Sequence, residues 1–273
     1  MDTAPQAEHI RFLFDPQVAL TTFAGQRRRF ASTVETLSMD ELAAPSRCAG
    51  WTVADVLRHL VWVDLTVRRL WSGDEAIADG FDPRVTPNEA VEDDRKISDE
   101  ETRERYLVST ETMVKDLGCA SPQRFGLPSL SPAGKVPWWM SAVHIGWDSS
   151  IHERDALLPL GRDVEEIDVE TELCLAYSLV LTSFFAGRDP LAVRVGTIDL
   201  SRGAGPVVAG AIPTAGRAAD STDDPATVVA VDDPVKVIDA LSGRGQVEDS
   251  LRGDAAVVRR LGGLARYFTS APR

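Results

Sequence analysis

Residues 138–161, WWMSAVHIGWDSSIHERDALLPLG, decide the fold. An α-helix turns about 100° per residue, so His144, Asp148, His152 and Asp155 fall within a stripe roughly 80° wide. Two imidazoles and a carboxylate then face one way. A second amphipathic segment, VADVLRHLVWVDLTVRRLW at 53–71, carries His59 in its middle. A helix pair that sets His59 opposite the stripe closes a site of the His/His/carboxylate kind, with a coordination position left for chemistry. The fourth histidine, His9, lies in an N-terminal stretch without an evident partner.

Punctuation on either side supports helices at these places. Pro137 stands at a favoured first helical position and Pro159 ends the run. Thr52 with Asp55 makes a T-x-x-D capping box for the second segment, which stops at Ser72-Gly73. Upstream, a helix opens near Pro16 with Asp15 as N-cap and carries Val18, Leu20, Phe23, Phe30, Val34 and Leu37 at helical spacing. Another starts at Ser98, with Glu101 three residues on, and ends near Gly118. The Asp-, Glu- and Pro-rich stretch between Gly73 and Ile97 reads as a long loop over one end of a four-helix bundle. A fifth helical run, from about Val164 to Ala186, either crosses to a second domain or packs on the bundle.

Beyond residue 190 the period changes. LAVRVGTIDL, GPVVAGAIP and ATVVAVDD read as short strands, Pro234–Leu241 and Asp254–Tyr267 as helices, and Val247–Leu251 as a strand between them. Thr214–Pro225 is polar enough for a mobile loop. The expected class is α+β, with a helical bundle over 1–187 and a small α/β domain over 188–273.

Composition narrows the function. A formal net charge of −13 repels phosphate backbones and anionic membranes, so nucleic acid and membrane are not expected partners. No stretch approaches the roughly 20 apolar residues of a bilayer span, and a cytoplasmic location is expected. Cys48, Cys119 and Cys174 form no C-x-x-C pair and read as reduced. Cys48 reads as structural, since no base lies beside it in sequence. Trp51, Trp62, Trp138, Trp139 and Trp147 read as interhelical packing, with one or two at a pocket wall. Ser149 and Ser150 adjoin His152 in sequence, but on a helix they point elsewhere, which speaks against a serine hydrolase.

Three stretches in order, CAGWTVADVLRHL (48–60), HIGWDSSIHERDALLPLG (144–161) and DALSGRG with LRGDAAVVRRL (239–245 and 251–261), resemble the mycothiol-dependent maleylpyruvate isomerase family within the DinB-like metal-binding helical bundles. The resemblance covers nearly the whole chain. It implies metal ligation by His59, Asp148 and His152, and Arg244 offered to the cleft from the C-terminal domain. Position 148 is aspartate where the characterised isomerase type has glutamate, one methylene longer, which leaves metal identity and the particular reaction open. Asp155 is placed to hydrogen-bond a histidine from behind. His144 shares the stripe, but the family pattern does not require it.

The implied activity is isomerase or S-transferase chemistry. A divalent metal, zinc by its donor set, activates mycothiol or another small thiol for cis–trans isomerisation or S-transfer on a small organic substrate. Arg244 would recognise an anionic substrate; as an ordinary residue it would instead stand at a helix C-terminus between Gly243 and Gly245. Two rivals stay open. One is a thiol-independent metal hydrolase or lyase on the same fold, and the other a non-catalytic binding module. The oligomeric state is not legible.

Overall fold

The computed structural model describes residues 10–131, 134–185, 190–202, 207–211 and 227–269. In chain order these form β1 (Ile10–Phe12), α1 (Pro16–Glu35), α2 (Met39–Ala43), α3 (Val53–Trp71), α4 (Thr86–Asp94), α5 (Asp99–Gly118), α6 (Pro122–Phe125), β2 (Pro128–Ser131), β3 (Gly134–Pro137) and α7 (Trp138–Leu157). They continue with α8 (Asp168–Phe185), β4 (Leu191–Val195), β5 (Ile198–Arg202), β6 (Val207–Ala211), β7 (Thr227–Val231), α9 (Pro234–Leu241), α10 (Val247–Ser250), β8 (Leu251–Arg252), α11 (Ala255–Leu261) and α12 (Gly263–Thr269). The class is α+β, as the sequence pattern requires.

The chain divides into two compact units. One runs from Pro16 to Glu166, and the other joins the N-terminal strand to the chain from Ile167 onward. The division thus falls before the fifth helix, whereas the sequence reading drew it at 187, after that helix. A strand of three residues, β1, is too short for any period to reveal, and it is counted with the C-terminal unit because it pairs with β6.

In the helical unit, α1, α3, α5 and α7 are the long helices, and α1 packs on both α5 and α7 while α3 does the same. Their common core holds Phe30, Val34, Leu37, Leu57, Leu60, Tyr106, Ala156 and Leu157. The caps expected at Thr52 and Ser98 are present. Thr52 Oγ1 accepts from the Asp55 amide at 3.1 Å while Asp55 Oδ2 accepts from the Thr52 amide at 3.1 Å, and Ser98 Oγ accepts from the Glu101 amide at 3.2 Å. Each cap satisfies amides that a helix start leaves without partners, an effect of about 1 kcal/mol. Pro137 caps α7 one position outside the helix instead of beginning it, because it closes the β2–β3 hairpin.

Gly146 explains how closely α1 and α7 approach. A Cβ built there would lie 2.1 Å from Cγ of Phe23, a fully buried ring. Only glycine admits that contact. Deeper in the same bundle Arg27 and Asp64, both fully buried, make a two-pronged pair at 3.0 and 2.8 Å, and Ser109 Oγ donates to Asp64 at 2.9 Å.

The Gly73–Ile97 stretch is not all loop. It contains a short 3-10 turn at Glu75–Ala78 and the nine-residue α4. Arg58 holds the end of this stretch: its guanidinium donates to Asp55, to the carbonyls of Asp94 and Ile97, and to Asp99.

The other unit carries a mixed six-stranded sheet in the order β1-β6-β5-β4-β7-β8. The β4–β5 and β5–β6 pairs are antiparallel, whereas β1–β6 and β4–β7 are parallel. Apolar alternation in β4 and β5 gives one covered face, over which α8 packs against β5 and β6. Val247–Ser250 is a helical turn and not the expected strand; only Leu251–Arg252 after it pairs with β7. Four residues with two acids in the first turn suit a helix start better than a ladder. His9 and Thr214–Pro225 lie outside the described residues. Among the described residues no helix is long and apolar enough to cross a membrane.

Candidate metal centre

The site begins with two helices fixed at their ends. The Thr52–Asp55 box sets α3, which presents His59 two turns on, and α7 presents Asp148 and His152 one turn apart. His59 Nε2 lies 3.4 Å from Asp148 Oδ2, and His152 Nε2 lies 3.6 Å from Asp148 Oδ1. The two rings meet edge to face, with centroids 4.7 Å apart. One ligating atom from each of the three residues falls within 4.8 Å of the others. These are the three positions that the resemblance implies.

The spacing is that of donors around a cation. Two atoms each about 2.1 Å from a tetrahedral zinc stand about 3.4 Å apart, whereas a charge-assisted hydrogen bond would draw them to about 2.8 Å. Asp148 Oδ2 is buried and makes no hydrogen bond of good geometry, the His59 nitrogen at 3.4 Å being its long partner, which is costly unless something else satisfies it. The residues present fit a divalent ion. The histidine side chains are 7% and 9% exposed and Asp148 17%, so the centre is most open at the carboxylate.

Electrostatics bind the cluster together without a metal. Burial pushes the Asp148 carboxyl up, but the charge of His152, with the long hydrogen-bonding approach and the charge of His59, outweighs it and holds the group well below the usual carboxylate range. Burial pulls the His152 imidazole down, yet Asp148, Cys48 and the hydrogen bond to Asp155 raise it to about 10. His144 behaves otherwise. Burial lowers it to about 4 against the pull of Asp148, so it is neutral at pH 7. It stacks on Trp147 at 5.7 Å and is not in the three-residue group.

Behind His152 stands Asp155, whose side chain is fully buried. Its Oδ2 lies 3.0 Å from His152 Nδ1 and 3.2 Å from Cys48 Sγ, and its Oδ1 accepts from Arg47 Nε at 3.1 Å. Cys48 Sγ is also 3.7 Å from His152 Nδ1. The expectation that Cys48 has no base beside it is therefore corrected: the bases come from α7, more than a hundred residues away, and sequence adjacency could not show them.

Aromatic side chains rim the cluster. Trp51 lies over both imidazoles, 5.3 Å from His59 and 6.2 Å from His152, and its Nε1 donates to Asn88 of α4 at 3.0 Å. Trp62 is 6.1 Å from His59 and stacks on Phe81 at 6.3 Å. Trp138, Trp139 and Trp147 are buried in the bundle. Sequence reasoning missed Asn88 and Phe81, which sit in the stretch read as loop.

Arg244 belongs to the other unit. There its surroundings are those of a helix end: the Arg244 amide donates to Asp239 O at 2.8 Å, the Gly243 amide donates to Ala240 O at 3.1 Å, and Gly243 has φ +84°. Together these form a Schellman motif closing α9, and the Arg244 guanidinium donates to Ser242 O at 2.5 Å. Glycine between Ser242 and Arg244 thus has a complete structural reason.

Fold and site define an α+β protein whose helical bundle carries a candidate divalent-metal centre. Residues 23–156 match the family model described as mycothiol maleylpyruvate isomerase N-terminal domain, and the bundle belongs to that domain family. Among solved structures, the fold is similar to that of the mycothiol-dependent maleylpyruvate isomerase, with TM-score 0.60, 15% identity, and 89% of this chain and 94% of that one covered. A histidine-to-alanine mutant of that enzyme gives TM-score 0.59 at the same identity and coverage. No curated protein sequence matches this chain.

Proposed function

We propose that the bundle is an enzyme domain in which His59, Asp148 and His152 hold a divalent metal, zinc by the donor set. It would act with mycothiol or another small thiol on a small organic substrate, by cis–trans isomerisation or S-transfer. The observation that carries this reading is Asp148: its buried Oδ2 lacks a close hydrogen bond and faces His59 Nε2 at 3.4 Å, while its Oδ1 faces His152 Nε2 at 3.6 Å, distances near those between donors around one ion. Bound there, the metal would supply an electrophile that lowers a thiol's pKa from about 8.5 toward neutrality.

The chain's own residues account for the rest. Asp148, the most open of the three, faces the side from which a cosubstrate arrives, while Trp51 and Trp62 shield His59 and keep its surroundings apolar. His144, neutral at pH 7, adds no positive charge that would oppose a cation. Arg244 remains the proposed partner for an anionic substrate group, for which its guanidinium would have to leave Ser242 O. A cytoplasmic setting, where small thiols stay reduced, goes with this reading.

The test is elemental analysis of protein purified without chelators, followed by thiol titration of the cobalt-substituted form. About one equivalent of divalent metal together with thiol binding supports the proposal. Metal without thiol binding, but with hydrolytic or lyase turnover, favours the thiol-independent reading; metal with neither favours a binding module. No metal after reconstitution sinks all but the last.

A further inference from the structure

His152 has two ring nitrogens, and the structure offers a metal-ligating set on each side of it. One is His59, Asp148 and His152 through Nε2; the other is Cys48, Asp155 and His152 through Nδ1. One ring nitrogen cannot both carry a proton and bind a metal, so the two sets compete for the orientation of the same side chain.

The surroundings decide between them. Asp155 is fully buried, and donors from the 44–52 turn already converge on it: Arg47 Nε on one oxygen and Cys48 Sγ on the other, where His152 Nδ1 also points. The Arg47 guanidinium neutralises this carboxylate and would repel a divalent ion placed against it. The turn itself is rigid. Ser46 Oγ donates to Trp51 O at 2.9 Å and accepts from the Cys48 amide at 3.1 Å, and the Arg47 amide donates to Asp155 O at 3.0 Å. Asp148, by contrast, has an unsatisfied oxygen and some opening to solvent.

We propose that Asp155, braced by Arg47 and Cys48, is a positioning residue. It holds the His152 ring with Nδ1–H toward itself and Nε2 toward Asp148 and His59, and Cys48 is part of that brace and not a ligand. The same brace ties the turn carrying Trp51 to α7, so the imidazole and the indole over it are set by one carboxylate. This rests on the metal reading above and adds which nitrogen of His152 faces the ion and what keeps it there.

The experiment compares wild type, Asp155→Asn, Asp155→Ala and Cys48→Ser, each first shown to be folded by circular dichroism. Imidazole ¹⁵N–¹H correlation spectra of the zinc-loaded wild type should show His152 protonated at Nδ1. Chelator competition should show zinc binding weakened about 10–100-fold in Asp155→Asn, more in Asp155→Ala, and little changed in Cys48→Ser. The cobalt form without added thiol should lack a sulfur-to-cobalt charge-transfer band. Such a band, abolished by Cys48→Ser, overturns the proposal, as does metal bound at Nδ1 or unchanged affinity in Asp155→Ala. If the wild type binds no metal, the functional reading fails, and the brace is then judged in the metal-free protein. There, a strongly deshielded His152 Nδ1 proton that disappears in Asp155→Ala upholds it, and its absence in the wild type overturns it.

Discussion

The bundle holds two buried polar clusters that differ in how completely they are closed. Arg27, Asp64 and Ser109 meet at 2.8–3.0 Å with both carboxylate oxygens engaged. His59, Asp148 and His152 face one another at 3.4 and 3.6 Å, and one carboxylate oxygen lacks a hydrogen bond. Arg27 Nε has no hydrogen-bond partner, but the Asp64 carboxylate is fully paired and offers nothing to a further cation, so the first cluster serves the fold. The second pays for burial without completing its bonds, which is reasonable only if another group completes them.

Four measurements would break or sharpen that contrast. The largest effect is expected from Asp148→Ala or His152→Ala: metal content should fall from about one equivalent to almost none while the fold persists, as elemental analysis alongside circular dichroism would show. Next is Asp64→Ala, which leaves Arg27 buried without its counter-charge. Urea unfolding should show a loss of about 3–5 kcal/mol, with metal content per folded molecule unchanged. If Asp64→Ala loses metal and not stability, the two clusters have been assigned the wrong way round.

Gly146→Ala is smaller. The added methyl must displace the Phe23 ring at an α1–α7 contact, and thermal unfolding should register a loss of about 1–3 kcal/mol despite alanine's better helix propensity.

The smallest effect is a proton count. His152 titrates near 10 in the metal-free fold against about 6.5 in an unfolded chain, so its contribution to stability is full below about pH 6.5 and is lost as pH rises toward about 10. Metal requires the neutral ring, so zinc uptake at pH 7 should release about one proton from His152, seen by calorimetry in buffers of different ionisation heat. Metal should also reverse the trend, making the loaded protein gain stability over the range where the metal-free protein loses it. Uptake with no proton release would mean that His152 is not a ligand.

Much of the site was legible because it depends on local spacing. Asp148 and His152 lie one helical turn apart, and the Thr52–Asp55 box announces the helix that carries His59. The brace was not legible, because Arg47 and Cys48 reach Asp155 across more than a hundred residues, and neither residue type announces such a partner. Nor was α4: an acidic, proline-containing stretch has low intrinsic preference for order, and it is held by tertiary bonds from Arg58 and Trp51. Arg244 shows the converse. The resemblance marked it for a substrate, while its glycine neighbours read as a helix C-terminus, and in the fold Gly243 does close α9.

The sequence by itself determined the long helices α1, α3, α5 and α7, the caps at Thr52 and Ser98 and which residues share the α7 stripe, since these follow from periodicity and from groups a few residues apart. Only the tertiary structure decided that His59 meets that stripe at donor spacing, that α8 and β1 are counted with the sheet, and that Cys48 stands behind a histidine. Those facts depend on packing between distant segments, where the free energy comes from burial and close fit and leaves no repeating signature in the chain.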